Sequence, residues 1–228
     1  MRENHHTIGI APSLLCADLL NLGEQIRIMD EFRPFWYHID IMDGRFVPNF
    51  TFGPDLVRAV KAGTQTPILT HLMCEMPENH IRLFAEAGTD FITFHIEAVS
   101  SPIRLLNQIR SFGKKAGIVI NPATPLNTLP YLMEYVDCIT VMSIEPGFAG
   151  QPFIDFTYDK LRKISEIVKA AKRFVPIEVD GGINGENGVK SIECGANILV
   201  AGYFSVFKKS TSLKENYAEF LNTLNNSG

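Results

Sequence analysis

The sequence predicts an α/β fold in which eight βα units close into a (β/α)8 TIM barrel. Three observations lead there. Short apolar runs rich in β-branched residues alternate with longer amphipathic stretches, eight such pairs occur, and 228 residues suit one barrel. The strand-like runs are IGIAPSLL (8–15), FWYHIDIM (35–42), PILTHLM (67–73), DFITFHI (90–96), AGIVIN (116–121), CITVMS (138–143), PIEVDG (176–181) and NILVAG (197–202). Helix-like segments lie around 20–32, 54–62, 77–87, 101–112, 126–134, 156–172, 185–194 and 212–224. A helix after every strand favours parallel pairing through crossovers. The count alone also allows an open doubly wound sheet.

A weak internal echo fits two half-barrels. AEAGTDFITFH (85–95) and IECGANILVAG (192–202) both read as helix end, glycine turn and buried strand. No Ser/Gly/Pro-rich tract divides the chain, so residues 1–228 are expected to form a single catalytic domain.

Composition narrows the partners. Hydrophobic residues make up 46% and charged residues 20%, which is globular composition rather than disorder. A formal charge of −4 supplies no basic footprint for nucleic acid or an anionic membrane. A phosphorylated small molecule remains open, because local backbone amides bind phosphate whatever the net charge. Cys16, Cys74, Cys138 and Cys194 are widely spaced with no Cys-x-x-Cys pair, so buried free thiols in a reducing cytosol are expected. The N-terminal stretch has no signal-like apolar run and no segment is apolar enough to span a bilayer, which points to the cytoplasm. His5 and His6 precede the first strand and receive no role.

The chemistry concentrates at strand ends. Residues two apart in a strand share a face. In HIDIMDG, His38, Asp40 and Met42 therefore point one way, while Ile39 and Ile41 point the other. His71 and Met73 share a face of the third strand, and Glu178 and Asp180 share a face of the seventh. Barrel active sites sit at the C-terminal ends of the strands, where His38, Asp40, His71 and Asp180 all fall. Taken singly, each histidine reads as a hydrogen-bonded core side chain. Together on three strand ends, two imidazoles and two carboxylates read as a site for one divalent ion, with Zn, Mn, Fe and Co all suited. His80 is expected on a helix surface, and His95 as a supporting or structural residue.

Glycines form a second constellation. PGFAGQPF (146–153) follows strand six and reads as a mobile loop able to approach a ligand closely. Gly181 and Gly182 follow strand seven, and Gly202 follows strand eight. These are the usual phosphate-binding ends of such barrels, where amides replace water around the anion. Any one of these glycines could equally be an ordinary turn residue.

The segments APSLLCADLL, HIDIMDGRFVPNFTFGP, HLM, INPATPL, VMSIEPGFAGQPFI, IEVDGGIN and VAG, in this order across nearly the whole chain, resemble the ribulose-phosphate 3-epimerase family. The resemblance implies a ribulose-phosphate-binding barrel that inverts C3 of a phosphorylated ketose. His38, Asp40, His71 and Asp180 would hold the metal, with Asp40 and Asp180 also the acid/base pair. Removing the C3 proton places negative charge on the C2 oxygen, where a metal acts as Lewis acid and stabilises an enediolate. One aspartate on each face takes and returns the proton. Ser13, His71, Asp180, the loop residues Gly147, Phe148, Ala149 and Gly150, and Gly181, Gly182, Gly202 and Tyr203 would contact substrate. Met42, Met73 and Met142 would cap the planar intermediate, though by spacing alone they serve equally as core filler.

The resemblance also implies a homo-oligomer. Ribulose 5-phosphate enzymes usually read PSILSAD and NPGFGGQ. Here the chain has PSLLCADLL and EPGFAGQPF, closer to a D-allulose-6-phosphate branch, so D-allulose 6-phosphate is the expected substrate and D-ribulose 5-phosphate the alternative. The Gly-Ser common in the family after strand eight is here Gly202-Tyr203. Tyr203 keeps the backbone N–H but lacks the serine hydroxyl. EVDGGIN is the pentose-type form. Related decarboxylating or condensing barrels typically carry Asp-x-Lys-x-x-Asp, which is absent here. A catalytically dead sugar-phosphate sensor is opposed by the intact aspartates.

Overall fold

A computed structural model describes residues 8–226. His5 and His6 lie outside the described residues. Eight strands form one parallel sheet: β1 (Gly9–Pro12), β2 (Tyr37–Met42), β3 (Ile68–Met73), β4 (Phe91–His95), β5 (Lys115–Ile120), β6 (Cys138–Met142), β7 (Ile177–Asp180) and β8 (Ile198–Ala201). From β2 to β8 each strand pairs with the next in sequence, and β1 pairs with β8. The remaining seam is drawn together by a parallel bridge between Ser13 and His38 and by the Phe35 N–H donating to the Ile10 carbonyl at 2.8 Å. The result is a nearly closed (β/α)8 TIM barrel rather than an open sheet.

The helices follow their strands in order: α1 (Leu22–Asp30), α2 (Pro54–Gly63), α3 (Ile81–Ala87), α4 (Pro102–Ser111), α5 (Leu129–Leu132), α6 (Thr157–Ala170), α7 (Gly185–Glu193) and α8 (Leu213–Asn225). Their apolar stripes pack on the outward faces of the strands. Ile39 and Ile41 of β2 thus join one core with Ile26 and Met29 of α1 and Val57 and Val60 of α2. None of the described helices is long and apolar enough to cross a membrane.

Inside the barrel the period-2 pattern stacks side chains in layers. A lower apolar plug contains Ala11, Trp36, Leu69, Cys138 and Ile198. One step up come His38, Thr140 and Glu178, all buried. Above them the register sets Asp40 beside His71, Met42 beside Met73, and Met142 beside Asp180. The site therefore sits on an apolar floor that excludes water from below.

Three local details differ from the sequence expectation. The first strand ends at Pro12, and Leu14–Cys16 instead turn into a short 3-10 helix that buries Leu14 in the outer core. Apolarity there reflects packing rather than strand pairing. The fifth helix shrinks to a single turn, with Pro130 near its start. His80 is not within a helix but at the N-terminal boundary of α3, where it is half-buried. The internal echo has a structural counterpart: Gly88 (φ 102°) after α3 and Gly195 (φ 106°) after α7 are both left-handed and lead into β4 and β8.

Candidate active site

His38, Asp40, His71 and Asp180 converge at the C-terminal mouth of the barrel, with one ligand atom from each within 4.8 Å of all the others. His38 Nε2 lies 3.2 Å from His71 Nδ1, 3.3 Å from Asp40 Oδ1 and 3.6 Å from Asp180 Oδ2. His71 Nδ1 lies 3.2 Å from Asp40 Oδ1 and 3.7 Å from Asp180 Oδ2. Ligands about 2.1 Å from a tetrahedral ion are about 3.4 Å apart, so the four atoms suit a single divalent cation. The donor set of two imidazole nitrogens and two carboxylate oxygens fits the same ion class.

Glu178 orients one of these ligands. Its buried carboxylate accepts from Trp36 Nε1 at 2.7 Å and Thr140 Oγ1 at 2.7 Å, and stands 3.3 Å from His38 Nδ1. Burial pushes its pKa up, but His38, Thr140 and Trp36 outweigh this and hold it below the ordinary glutamate value. An ionised carboxylate only accepts, so a neutral His38 keeps its proton on Nδ1 and turns the Nε2 lone pair towards the centre. Burial disfavours the His38 imidazolium, yet Glu178 and Asp40 lift its pKa well above 6.5. A proton therefore competes with any cation for Nε2. The sequence pattern had set Glu178 on the same face as Asp180, but nothing in it revealed the partnership with a histidine 140 residues away.

The two aspartates differ in environment. Burial raises both, but His38 and His71 hold the Asp40 carboxyl far below the ordinary range. The Ser13 hydroxyl adds a 2.8 Å hydrogen bond to Asp40 Oδ2. Burial pushes the Asp180 carboxyl up to about 7, with the Asp40 and Glu178 charges adding to the effect against the opposing pull of His38. Two carboxyls with proton affinities set apart in this way could serve chemically as an acid and a base. Ser143, which the sequence did not single out, lies 2.9 Å from the Asp180 carbonyl and 2.6 Å from that of Gly181, and its hydroxyl pins the peptide behind Asp180.

Above the aspartates lies an open cleft. Ser13, Met42, Met73, Met142, Gly147, Phe148, Ala149, Gly150, Asp180, Gly181, Gly182, Gly202 and Tyr203 all line it, together with Asp40. His71 lies beneath, fully buried. Gly181 and Gly182 have φ of 119° and 64°, and a Cβ on Gly182 would meet the Gln151 carbonyl oxygen at 2.8 Å. Only a glycine lets the end of β7 pass under the 146–153 loop. That loop is tied to the one after β2 by Asn49 Nδ2, which donates to the Gly147 carbonyl at 2.8 Å. All four cysteines are free, and Cys16 lines the cleft rather than being fully buried. Burial pushes its thiol up to about 12, with the Asp40 charge acting in the same direction.

The sequence pattern of the ribulose-phosphate 3-epimerase family matches residues 9–207. The chain belongs to that family. Among its relatives, the ribulose-phosphate 3-epimerase of Synechocystis is 44% identical over 222 residues, covering 96% of this chain and 94% of the relative. The chloroplastic ribulose-5-phosphate-3-epimerase of Arabidopsis thaliana is 45% identical, covering 88% of this chain and 72% of the relative. The ribulose-phosphate 3-epimerase of Bacillus subtilis is 41% identical, covering 86% and 90%. With the family comes the enzyme class, an isomerase of the epimerase type. Among solved structures, a tryptophan synthase α-subunit variant from Pyrococcus furiosus aligns over 96% of this chain and 98% of its own, with TM-score 0.69 and 16% identity. At that identity the likeness extends to the barrel fold alone.

Proposed function

We propose that this epimerase interconverts D-ribulose 5-phosphate and D-xylulose 5-phosphate by proton transfer at C3 between Asp40 and Asp180. The observation that supports the proposal is the pair itself: a buried Asp40 and a half-buried Asp180 line one cleft above an apolar floor, the first held ionised by His38 and His71 and the second raised to about 7. A base that is ionised beside an acid that keeps its proton is the arrangement a C3 inversion needs. Asp40 accepts the proton from C3, and the C–H electron pair moves into a C2–C3 double bond as the C2 carbonyl becomes an oxyanion. Asp180 delivers a proton to the opposite face of C3, and the carbonyl re-forms with inverted configuration. For the other epimer the two roles exchange.

A divalent cation held by His38 Nε2, His71 Nδ1, Asp40 and Asp180 would supply Lewis-acid stabilisation of the charge that gathers on the C2 oxygen. Met42, Met73 and Met142 close the cleft around the planar intermediate and exclude water, with 4%, 2% and 2% exposure respectively. The Gly181, Gly182 and Gly202 peptides form the floor for the phosphate. We place the enzyme in the cytoplasm, in keeping with its four free cysteines, and as a homo-oligomer, which is carried over from the family resemblance.

The pentulose is favoured over the expected D-allulose 6-phosphate because the full-length relatives carry ribulose-phosphate names at 41–45% identity. Of the residues on which the sugar's length rests, Ala149 and Tyr203 line the cleft and Pro152 does not. Measuring kcat/KM for both sugars on metal-loaded protein tests the choice. At least tenfold preference for D-ribulose 5-phosphate is expected, and a preference for D-allulose 6-phosphate would restore the hexulose assignment.

A further inference from the structure

His71 and His95 meet nitrogen to nitrogen. Their Nε2 atoms are 2.9 Å apart, and both residues are fully buried. At that distance one imidazole must donate and the other accept. The donor is set from the far side of His95. Its Nδ1 stands 3.4 Å from Glu97 Oε2, longer than a standard hydrogen bond but close enough for the carboxylate to orient the ring by its charge. Glu97 is itself fixed, because the Asn121 N–H donates to it at 2.9 Å and the Thr124 hydroxyl donates to the same oxygen. The loop carrying those two donors is held in turn by Lys160. Its buried ammonium donates to the carbonyls of Asn121, Pro122 and Thr124 at 2.6, 2.8 and 2.8 Å.

With acceptors only at Glu97, a neutral His95 keeps its proton on Nδ1, so its Nε2 offers a lone pair. His71 must then donate through Nε2, leaving its own lone pair on Nδ1. That lone pair is directed at the carboxylate oxygens of Asp40 and Asp180, 3.2 and 3.7 Å away. A lone pair there faces the ionised Asp40 oxygen, a repulsive contact that a cation standing between the two would relieve. We propose that His95, oriented by Glu97, is a positioning residue that fixes His71 in the tautomer able to bind a divalent metal.

The proposal extends to β3 the logic that Glu178 applies to His38 from β7, and it rests on the reading that the four-residue cluster binds such an ion. A histidine pair that only filled space would have no need of a carboxylate at its outer end. The Phe46 ring, 4.6 Å from His95 centroid to centroid, shields the contact from solvent.

The test uses the full chain stripped of metal and titrated with Co(II), read by the ligand-field absorption of the bound ion, alongside 15N spectra of the histidine rings. His95→Leu removes the acceptor and is expected to weaken Co(II) binding about 10- to 100-fold. His95→Gln keeps an acceptor oxygen and is expected to bind within a few-fold of the unaltered chain. Glu97→Gln nearly preserves shape but offers His95 a donor, so it is expected to weaken Co(II) and move the His71 proton to Nδ1. In the unaltered chain the ring spectra should show His71 protonated at Nε2 and His95 at Nδ1. Unchanged Co(II) affinity in both His95→Leu and Glu97→Gln overturns the proposal, as does a His71 proton on Nδ1 in the unaltered chain. If His95→Leu does not fold, Glu97→Gln and the spectra still decide. Failure of the unaltered chain to take up Co(II) at all refutes the metal reading, and the ring spectra then judge the tautomer chain separately.

Discussion

Asp40 stands closer to both histidines than Asp180 does: 3.2 against 3.7 Å from His71 Nδ1, and 3.3 against 3.6 Å from His38 Nε2. Asp40 also takes the Ser13 hydroxyl. These differences give two chemically identical side chains opposite proton affinities within one cleft. The strand register produces the asymmetry, because Asp40 is laddered directly beside His71 while Asp180 is laddered beside Met142.

Replacing Asp180 with Asn is expected to lower kcat by about 10³-fold or more, since it removes one of the two proposed proton-transfer groups. The fold should persist, because the Asp180 carboxylate is only the fourth member of a cluster and its backbone is pinned independently by Ser143. Circular dichroism and metal content, measured with the rate, separate a chemical defect from an unfolded or empty protein.

The raised Asp180 pKa has a signature in stability. Between 3.8 and about 7 the folded chain retains a proton that the unfolded chain has released. Stability drawn from this group is therefore complete below that window and lost as pH rises through it. His71, depressed to about 4 chiefly by burial, slopes the other way but is present in both proteins. In thermal melts of metal-stripped protein, the unaltered chain should lose stability relative to Asp180→Asn as pH rises across the window. A pH-independent difference would count against a protonated Asp180.

Glu178→Gln should weaken divalent metal binding about 10- to 100-fold, by releasing the constraint on the His38 ring. It should also cost on the order of 2 kcal/mol of stability, because Trp36 and Thr140 lose a charged acceptor in a buried setting. Chelator competition and denaturant unfolding read the two effects separately.

Gly182→Ala places a Cβ 2.8 Å from the Gln151 carbonyl oxygen and 2.9 Å from the Phe153 nitrogen, both backbone atoms, at a φ of 64°. The 146–153 loop must move, at a cost of about 1–3 kcal/mol. The expected result is a raised KM for the phosphorylated ketose with metal affinity unchanged. Titration of metal and substrate into the variant checks both halves.

The barrel was legible because strand and helix periods differ, and eight pairs leave few topologies. His38, Asp40, His71 and Asp180 were legible because alternation in β2, β3 and β7 put polar side chains on a face that should be apolar. The supporting residues were not. Glu178 and Thr140 look like ordinary strand polars until the β6–β7 register sets them side by side. Ser143 acts on a backbone 37 residues away, and the Lys160 contacts join α6 to the loop after β5. Such partnerships depend on closure of the barrel, which local pattern does not encode. The substrate's length was not legible in the same way, because it rests on loop details such as Ala149, Pro152 and Tyr203 rather than on the periodic pattern of the strands.

The most direct measurement of the two-aspartate account is epimerisation in deuterated water with metal-loaded protein. D-xylulose 5-phosphate formed from D-ribulose 5-phosphate should carry solvent deuterium at C3, because the proton removed by one aspartate is not the one returned by the other. Product that retains the substrate's own hydrogen at C3 would contradict the account.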